Sequence, residues 1–361
     1  MSVITIKSNL RNYTVYFQET VEFIKGFSRF PHRLFVIDES VWRLHGNGCL
    51  STISESERMI FPISEDQKNL DSVMIIYDRL MESSAKKNMT IISIGGGITQ
   101  DITGFVASTL YRGLNWVFVP TTLLAQADSC IGSKTSLNYR RFKNLIGTFY
   151  PPSEVHIYPP FLQTLATSDF LSGMGEVAKL HIMGGAETTS SLSNALPAIL
   201  ERDEEALLLA IRCSLEVKLQ YMEGDEFDTG RRNLLNFGHC FGHALETVCN
   251  YAIPHGQAVV IGILVANRVA VMRGLLSAKN DQHMATQLLA LLPDFKQDLS
   301  KYSATELIAA MKHDKKRVGE GLVVVMITDA LTLVKADDVT AEEIETAMSG
   351  SFASYPFRGE L

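Results

Sequence analysis

The segment TIISIGGG at residues 90–97 constrains the fold most: an apolar, β-branched run that ends in three glycines. It reads as a buried strand delivering the chain into a tight turn. RLFVIDES (33–40) and LNWVFVPTT (114–122) read as further strands, and SVMIIYDRLMESSA (72–85) between them carries the helical period. Strands alternating with helices imply a mostly parallel sheet covered by helices. Ligands in such sheets gather at the carboxyl ends of the strands, where DES, GGG and PTT lie.

Beyond about residue 160 the texture becomes helical. SDFLSGMGEVAKLHIMGG, DEEALLLAIRCSLEVKLQYMEGDE, RRNLLNFGHCFGHALETVCNY and HGQAVVIGILVANRVAVMRG all show helical periodicity without strand alternation. A further helix is predicted near 304–313, and Leu322–Ile327 reads as a strand or a buried hairpin. The paired prolines Pro159–Pro160 set the expected boundary between an α/β domain, 1–159, and a mainly helical domain, 160–361.

Composition excludes some classes. With 33 Lys and Arg against 40 Asp and Glu, the net charge of −7 argues against a nucleic-acid binder, which needs a basic face. A local cationic pocket for an anionic substrate is compatible with that balance. Five cysteines without CxxC spacing point to a reducing cytoplasm. The N-terminus lacks the build of a signal peptide, and the apolar stretch Ala258–Ala266 is too short for a membrane span.

Three sets of residues carry candidate chemistry. Gly95-Gly96-Gly97 lets the backbone approach a pyrophosphate, and Asp38 at an earlier strand end suits ribose hydroxyls. A tight turn and a solvated strand end explain the same residues equally well. His239 and His243, four apart, share a helix face, and His255 follows closely. Zinc takes imidazole and carboxylate ligands, three in a catalytic site with one open position. Glu176, a carboxylate in an apolar helix, completes the set, although spacing alone leaves ordinary helix neighbours as an alternative. Arg112, Lys134, Lys143, Lys179, Lys218, Arg232 and Lys315-Lys316 would suit a phosphate and a carboxylate if they converged. Solvated surface positions are the alternative.

Taken in order, GGGITQDITGFVASTLYRG, VPTTLLAQADSCIGSKTSLNYRRFKNLIGTFYPP, SGMGEVAKL, DEFDTGRRNLLNFGHCFGHALE, IPHGQAVVIGI and MKHDKK resemble the sugar phosphate cyclase family, most closely its 3-dehydroquinate synthase branch. The resemblance implies a Rossmann-like α/β NAD-binding domain and an all-α metal-binding domain, with NAD and a divalent metal, zinc or cobalt, meeting the substrate in a cleft. It implies metal ligands Glu176, His239 and His255. It assigns the cofactor to Asp38, Glu65, Lys68, Gly96, Gly97, Asp101, Thr121, Thr122, Lys143, Phe161, Thr164 and Leu165. Catalysis falls to His243, Lys134, Asn144, Lys179 and Asp128, and substrate binding to Arg112, Lys218, Arg232, Asn236 and Lys315, Arg112 coming from the partner of a homodimer.

The implied reaction converts the seven-carbon keto-acid phosphate DAHP to 3-dehydroquinate and phosphate. Transient oxidation by NAD, elimination, re-reduction and aldol closure are its steps. Cyclases of secondary metabolism, such as 2-deoxy-scyllo-inosose, amino-dehydroquinate or valiolone synthases, are alternatives, as is a metal-dependent NAD polyol dehydrogenase. Three departures from the family pattern stand out. Ser133 replaces a glycine before Lys134, Gln257 replaces a carboxylate beside His255, and the tail GEGLVVVMITDALTL lacks an arginine.

Overall fold

Thr90–Gly95 is buried at every position, which explains a continuous apolar run where a half-exposed strand would alternate. The computed structural model describes residues 2–140, 142–293, 299, 302–312 and 321–354. It divides into two units, Met1–Leu165 and Ala166–Leu361.

In chain order the first unit contains β1 (Ser2–Ile6), β2 (Tyr13–Phe17), α1 (Phe23–Gly26), β3 (Arg33–Asp38), α2 (Glu39–His45), β4 (Arg58–Phe61) and α3 (Leu70–Glu82). There follow β5 (Thr90–Gly95), α4 (Gly97–Thr109), β6 (Asn115–Pro120), β7 (Lys134–Tyr139), β8 (Phe142–Phe149) and β9 (Glu154–Ile157). Seven strands form one sheet in the order β1-β2-β9-β6-β5-β3-β4. Neighbours from β2 to β4 pair in parallel, and β1 lies antiparallel on β2. Phe27, Phe35, Ile37, Ile92, Ile94, Val117 and Val119 pack together as its core. From β3 the chain turns to β4 on one side and to β5 and β6 on the other. The crevice between β3 and β5 is therefore the topological switch point where such sheets bind ligands. Asp38 and Gly95–Gly97 end the two strands that flank it.

β7 and β8 form a separate antiparallel hairpin that the sequence reading did not resolve. Only Thr135 and Leu137 of β7 are buried and no residue of β8 is, so almost no apolar alternation marks the hairpin. The division between the units lies beyond the paired prolines. The turn Pro159–Thr164 inserts Phe161 into the first unit's core, and His45 Nε2 lies 2.9 Å from Thr164 Oγ1.

The second unit contains α5 (Thr167–Met183), α6 (Ala186–Leu200), α7 (Glu204–Met222), α8 (His239–Val248), α9 (His255–Met272), α10 (Ala278–Leu289), α11 (Ala304–Lys312), β10 (Leu322–Ile327), β11 (Leu333–Val339) and α12 (Ala341–Ser354). α9 is its axis, packed against α5, α8, α10, α12 and β10. By length and composition α9 alone among the described helices could cross a membrane, yet most of it is buried inside the unit. A helix apolar on nearly every face is what a surrounded core position requires.

Two expectations change here. The unit is not all-α: β10 and β11 form an antiparallel ribbon, and β11 is not marked in the sequence because Lys335, Asp337 and Asp338 are exposed and break any apolar alternation in LVKADDV. Nor does one helix run through RRNLLNFGHC. A 3-10 turn, Arg231–Asn236, is followed by Gly238 at φ +77°, and α8 begins only at His239. A Cβ on Gly238 would lie 2.6 Å from the Val259 carbonyl oxygen, so both conformation and space demand glycine.

Candidate active site

Each proposed metal ligand adjoins a glycine at a backbone-to-backbone contact in the second unit. Glu176 follows Gly175, whose Cβ would meet the Gly256 carbonyl oxygen at 2.2 Å. His255 precedes Gly256, whose Cβ would lie 1.7 Å from the Ser172 carbonyl oxygen. His239 follows Gly238, and a Cβ on Gly262 would stand 1.9 Å from the Gly238 carbonyl oxygen. The missing side chains let α5, α8 and α9 approach until three donors from three helices converge.

Glu176 is fully buried, and its Oε1 stands 3.3 Å from His239 Nε2 and 3.2 Å from His255 Nε2. Ligands bonded to zinc at about 2.0–2.1 Å in a tetrahedron are separated by roughly 3.3 Å, so these spacings fit one ion. Neither Glu176 oxygen has a partner in hydrogen-bond geometry. Both imidazoles are anchored from behind: His239 Nδ1 lies 3.1 Å from the Phe237 carbonyl oxygen, and His255 Nδ1 lies 3.0 Å from Glu246 Oε2. Anchoring Nδ1 leaves Nε2 as the metal-facing atom. The donors thus fit a divalent metal by chemistry, spacing and orientation. His243 joins the group on its exposed side, the donor atoms of His239, His243 and His255 all lying within 4.8 Å of one another.

Electrostatics agree with that reading. Burial pushes the Glu176 carboxyl up, but Lys179, whose Nζ is 2.5 Å from Oε2, and the two histidines hold it well below the usual range. His239 is pushed down to about 4 by burial and by Lys179. Burial also disfavours charge on His255, yet the Glu176 carboxylate 3.2 Å away and the hydrogen-bonded Glu246 outweigh it and raise the ring to about 10. The two carboxylates demand a positive charge between them, and a divalent ion would supply it and release the proton.

Glu246 was not foreseen, although the signal that marked Glu176, a carboxylate in an apolar helix, marks it too. It supports the imidazole from behind: His255 Nδ1 meets Glu246 Oε2 at 3.0 Å. Glu246→Ala is expected to weaken metal binding about 10- to 100-fold, with Glu246→Gln, which keeps an acceptor, falling between. Chelator competition measures this, and equal affinity in all three proteins would remove Glu246 from the site.

Among the remaining residues of this unit, Asn236 and His243 line a cavity of about 60 Å³ together with His239. Lys179, Lys218 and Arg232 are buried. Arg232 is set by the loop DEFDTGRR: Asp225 accepts from the backbone N–H groups of Thr229, Gly230 and Arg232 at 2.8 Å each. Burial raises the Asp225 carboxyl, but these donors prevail and bring it down to about 2. A depressed carboxyl stabilises the fold above its unfolded pKa, about 3.9, and that stabilisation disappears as pH falls toward 2. Asp225→Asn should therefore be less stable than wild type at pH 7, with the gap narrowing below pH 4 in urea unfolding. A gap independent of pH would contradict the loop's dependence on that charge. Lys315 lies outside the described residues.

In the first unit, Asp38 caps α2 by accepting from Ser40 N at 2.7 Å. Gly96 and Gly97 open α4 without a side-chain cap, leaving amides at a helix start suited to a phosphate. Thr121 and Thr122 follow β6, Thr121 N donating to the Gly95 carbonyl at 2.9 Å. Phe161, Thr164 and Leu165 lie in or just after the turn that closes the unit. A polar network gathers five more predicted residues. Lys68 Nζ stands 2.5 Å from Asp101 Oδ2 and 2.6 Å from Asn144 Oδ1, and Lys143 Nζ is 3.6 Å from Glu65 Oε1. Asp101 also accepts from Ser136 N at 2.8 Å, which ties α4 to the β7–β8 hairpin. Lys134 opens β7 exposed, Asp128 lies in the π-helical turn Ala125–Ser129, and Arg112 is exposed in a turn at φ +58°. Ser133 has φ +64°, the left-handed region natural to the glycine it replaces, at a cost of roughly 1–2 kcal/mol.

The fold is that of the sugar phosphate cyclases. A 2-epi-5-epi-valiolone synthase from Streptomyces hygroscopicus, solved with NAD+ and Zn2+ bound, is similar with a TM-score of 0.85 at 24% identity over 98% of this chain and 99% of that one. Models of the 3-dehydroquinate synthase N-terminal and C-terminal regions match residues 58–172 and 173–317. The 3-dehydroquinate synthase of Clostridium tetani is 40% identical over 65% of this chain and 64% of its own length. That of Synechocystis is 34% identical over 88% and 89%. The chain belongs to the 3-dehydroquinate synthase family.

Proposed function

We propose that this protein is a carbon–oxygen lyase that converts DAHP to 3-dehydroquinate and phosphate, using NAD and a divalent metal, zinc in preference to cobalt. The observation that carries this reading is the convergence of Glu176, His239 and His255 on one point, with His243 beside them. When bound, the metal would acidify a substrate hydroxyl and NAD would take up and return a hydride.

The chain's own residues supply the rest. Glu176, His239 and His255 hold the metal, and Lys179 balances the buried carboxylate. His243, exposed at the edge of the cluster, is positioned to exchange a proton with the substrate. Asn236 donates to or accepts from a substrate hydroxyl, and Lys218, Arg232 and Lys315 serve its anionic groups. Lys134, Asn144 and Asp128, which lie in the first unit, are the residues the family resemblance gives to the phosphate. Asp38, Glu65, Lys68, Gly96, Gly97, Asp101, Thr121, Thr122, Lys143, Phe161, Thr164 and Leu165 form the NAD site, supported by the sheet's switch point and the uncapped start of α4. Arg112 reaches the substrate from the partner of a homodimer, its exposure supporting that role. Five cysteines without CxxC spacing support a cytoplasmic location.

The test is incubation of metal-loaded protein and catalytic NAD with DAHP, following phosphate and carbocycle. Turnover with stoichiometric product and no net NADH is expected. Turnover of glucose 6-phosphate in place of DAHP would make the protein a different cyclase, and accumulating NADH would make it a polyol dehydrogenase.

A further inference from the structure

We propose that Lys335 is a further substrate-binding residue, its ammonium group receiving an oxyanion of the substrate, carboxylate or phosphate, beside His239 and His243. The inference rests on the cyclase reading above and adds to it a cation that the family resemblance did not assign.

The cavity next to the metal ligands has two dissimilar walls. Asn233, Asn236, His239, Cys240 and His243 make one polar; Met311 and the ribbon residues Leu322, Val323 and Val325 make the other apolar. Lys335 is the one Lys or Arg among the described residues lining it. It lies on β11 directly opposite Val325 in the antiparallel register. That pairing puts its aliphatic stem against the apolar wall and leaves the ammonium group at the solvent edge, as long cationic side chains favour.

The charge on Lys335 is uncommitted among the described residues. It makes no ion pair with an acid among the described residues, whereas the neighbouring acid Asp338 is held by Arg273 at 2.7 Å. Two other candidate cations of this unit are less available. Lys179 is engaged at 2.5 Å by Glu176, and the guanidinium of Arg232 donates to the Glu226 carbonyl. β10 itself reads LVVVMI and carries no cation, the arginine of the family's terminal strand being absent. Lys335, on the adjacent strand, restores a positive charge to the ribbon at the same pocket. An anionic substrate whose hydroxyls face the histidines would find there a partner for one of its charged ends.

The test compares Lys335→Met and Lys335→Arg with wild type as metal-loaded, NAD-supplied enzyme, folding being checked by thermal melts. Lys335→Met should raise KM for DAHP about tenfold with kcat changed less than about threefold, and Lys335→Arg should stay near wild type. An unchanged KM in Lys335→Met, or a fall in kcat alone, would overturn the proposal. Competition by inorganic phosphate and by quinate, a cyclic carboxylate without phosphate, separates the two sources. Weakened inhibition by phosphate alone identifies a phosphate contact, and by quinate alone a carboxylate contact. If wild type does not turn over DAHP, the cyclase reading fails on that ground. Lys335 is then judged by calorimetric binding of the same two anions, and unchanged binding of both in Lys335→Met would refute it.

Discussion

Gly256→Ala is expected to destroy the proposed metal centre and to destabilise the protein by at least about 3 kcal/mol, the upper range for forcing extra volume into a packed interior. The added methyl group would stand 1.7 Å from the carbonyl oxygen of Ser172 and 2.6 Å from its carbonyl carbon. Those atoms belong to the backbone of α5, so no side chain can rotate away. The helices must separate, and Gly256 is next in the chain to His255, so separation carries that imidazole away from Glu176. The hydrogen bond from Gly256 N to Ser172 Oγ, 3.0 Å long, is lost in the same movement. Gly48→Ala is the control: its Cβ would meet only the His45 carbonyl oxygen at 3.7 Å, an ordinary contact. Urea unfolding and metal titration of both variants decide the matter. A Gly256→Ala protein that binds metal with wild-type affinity would show that the site does not depend on this approach.

Helix contact of this kind explains what could and could not be read in the sequence. β5 was legible because a strand buried on both faces must be apolar throughout, and the carboxyl ends of β3, β5 and β6 fell where the alternation put them. β7 and β8 were not, because the buried face of β7 offers only Thr135 and Leu137 and β8 buries no residue, which leaves almost no periodic trace. The pairing of His239 with His243 follows from helical spacing, their rings lying 5.2 Å apart. Convergence with His255 and Glu176 follows from no spacing, since it depends on which glycines of three helices meet. The family resemblance supplied these residues as proposed ligands, and the glycine contacts give their convergence a physical cause. The beginning of α8 at His239 was illegible for a similar reason, because tertiary contacts hold Gly238 in its left-handed conformation. Among the cations, composition could count charges without showing which are spent. Lys179 is consumed by Glu176, Lys68 by Asp101, and Lys335 drew no notice because β11 looks like surface.

The pairing of Lys179 with Glu176 makes the second large prediction. Both side chains are almost wholly buried, with exposures of 2% and 1%, and their charged atoms are 2.5 Å apart. Glu176→Gln preserves shape and removes charge, leaving the ammonium group buried without its counter-ion. Breaking a buried pair on one side costs about 3–5 kcal/mol, so the metal-free variant should unfold at markedly lower urea. It should also fail to bind metal, because an amide is a poor substitute for a carboxylate between two imidazoles. These two losses have separate causes, and the double variant Glu176→Gln, Lys179→Met separates them. Removing the stranded charge should recover much of the stability while metal binding stays lost, giving a coupling energy between contacting residues that additive sites do not show. If the double variant is as unstable as Glu176→Gln alone, the ion pair is not what Glu176 contributes to the fold. If it binds metal, Glu176 is not a ligand.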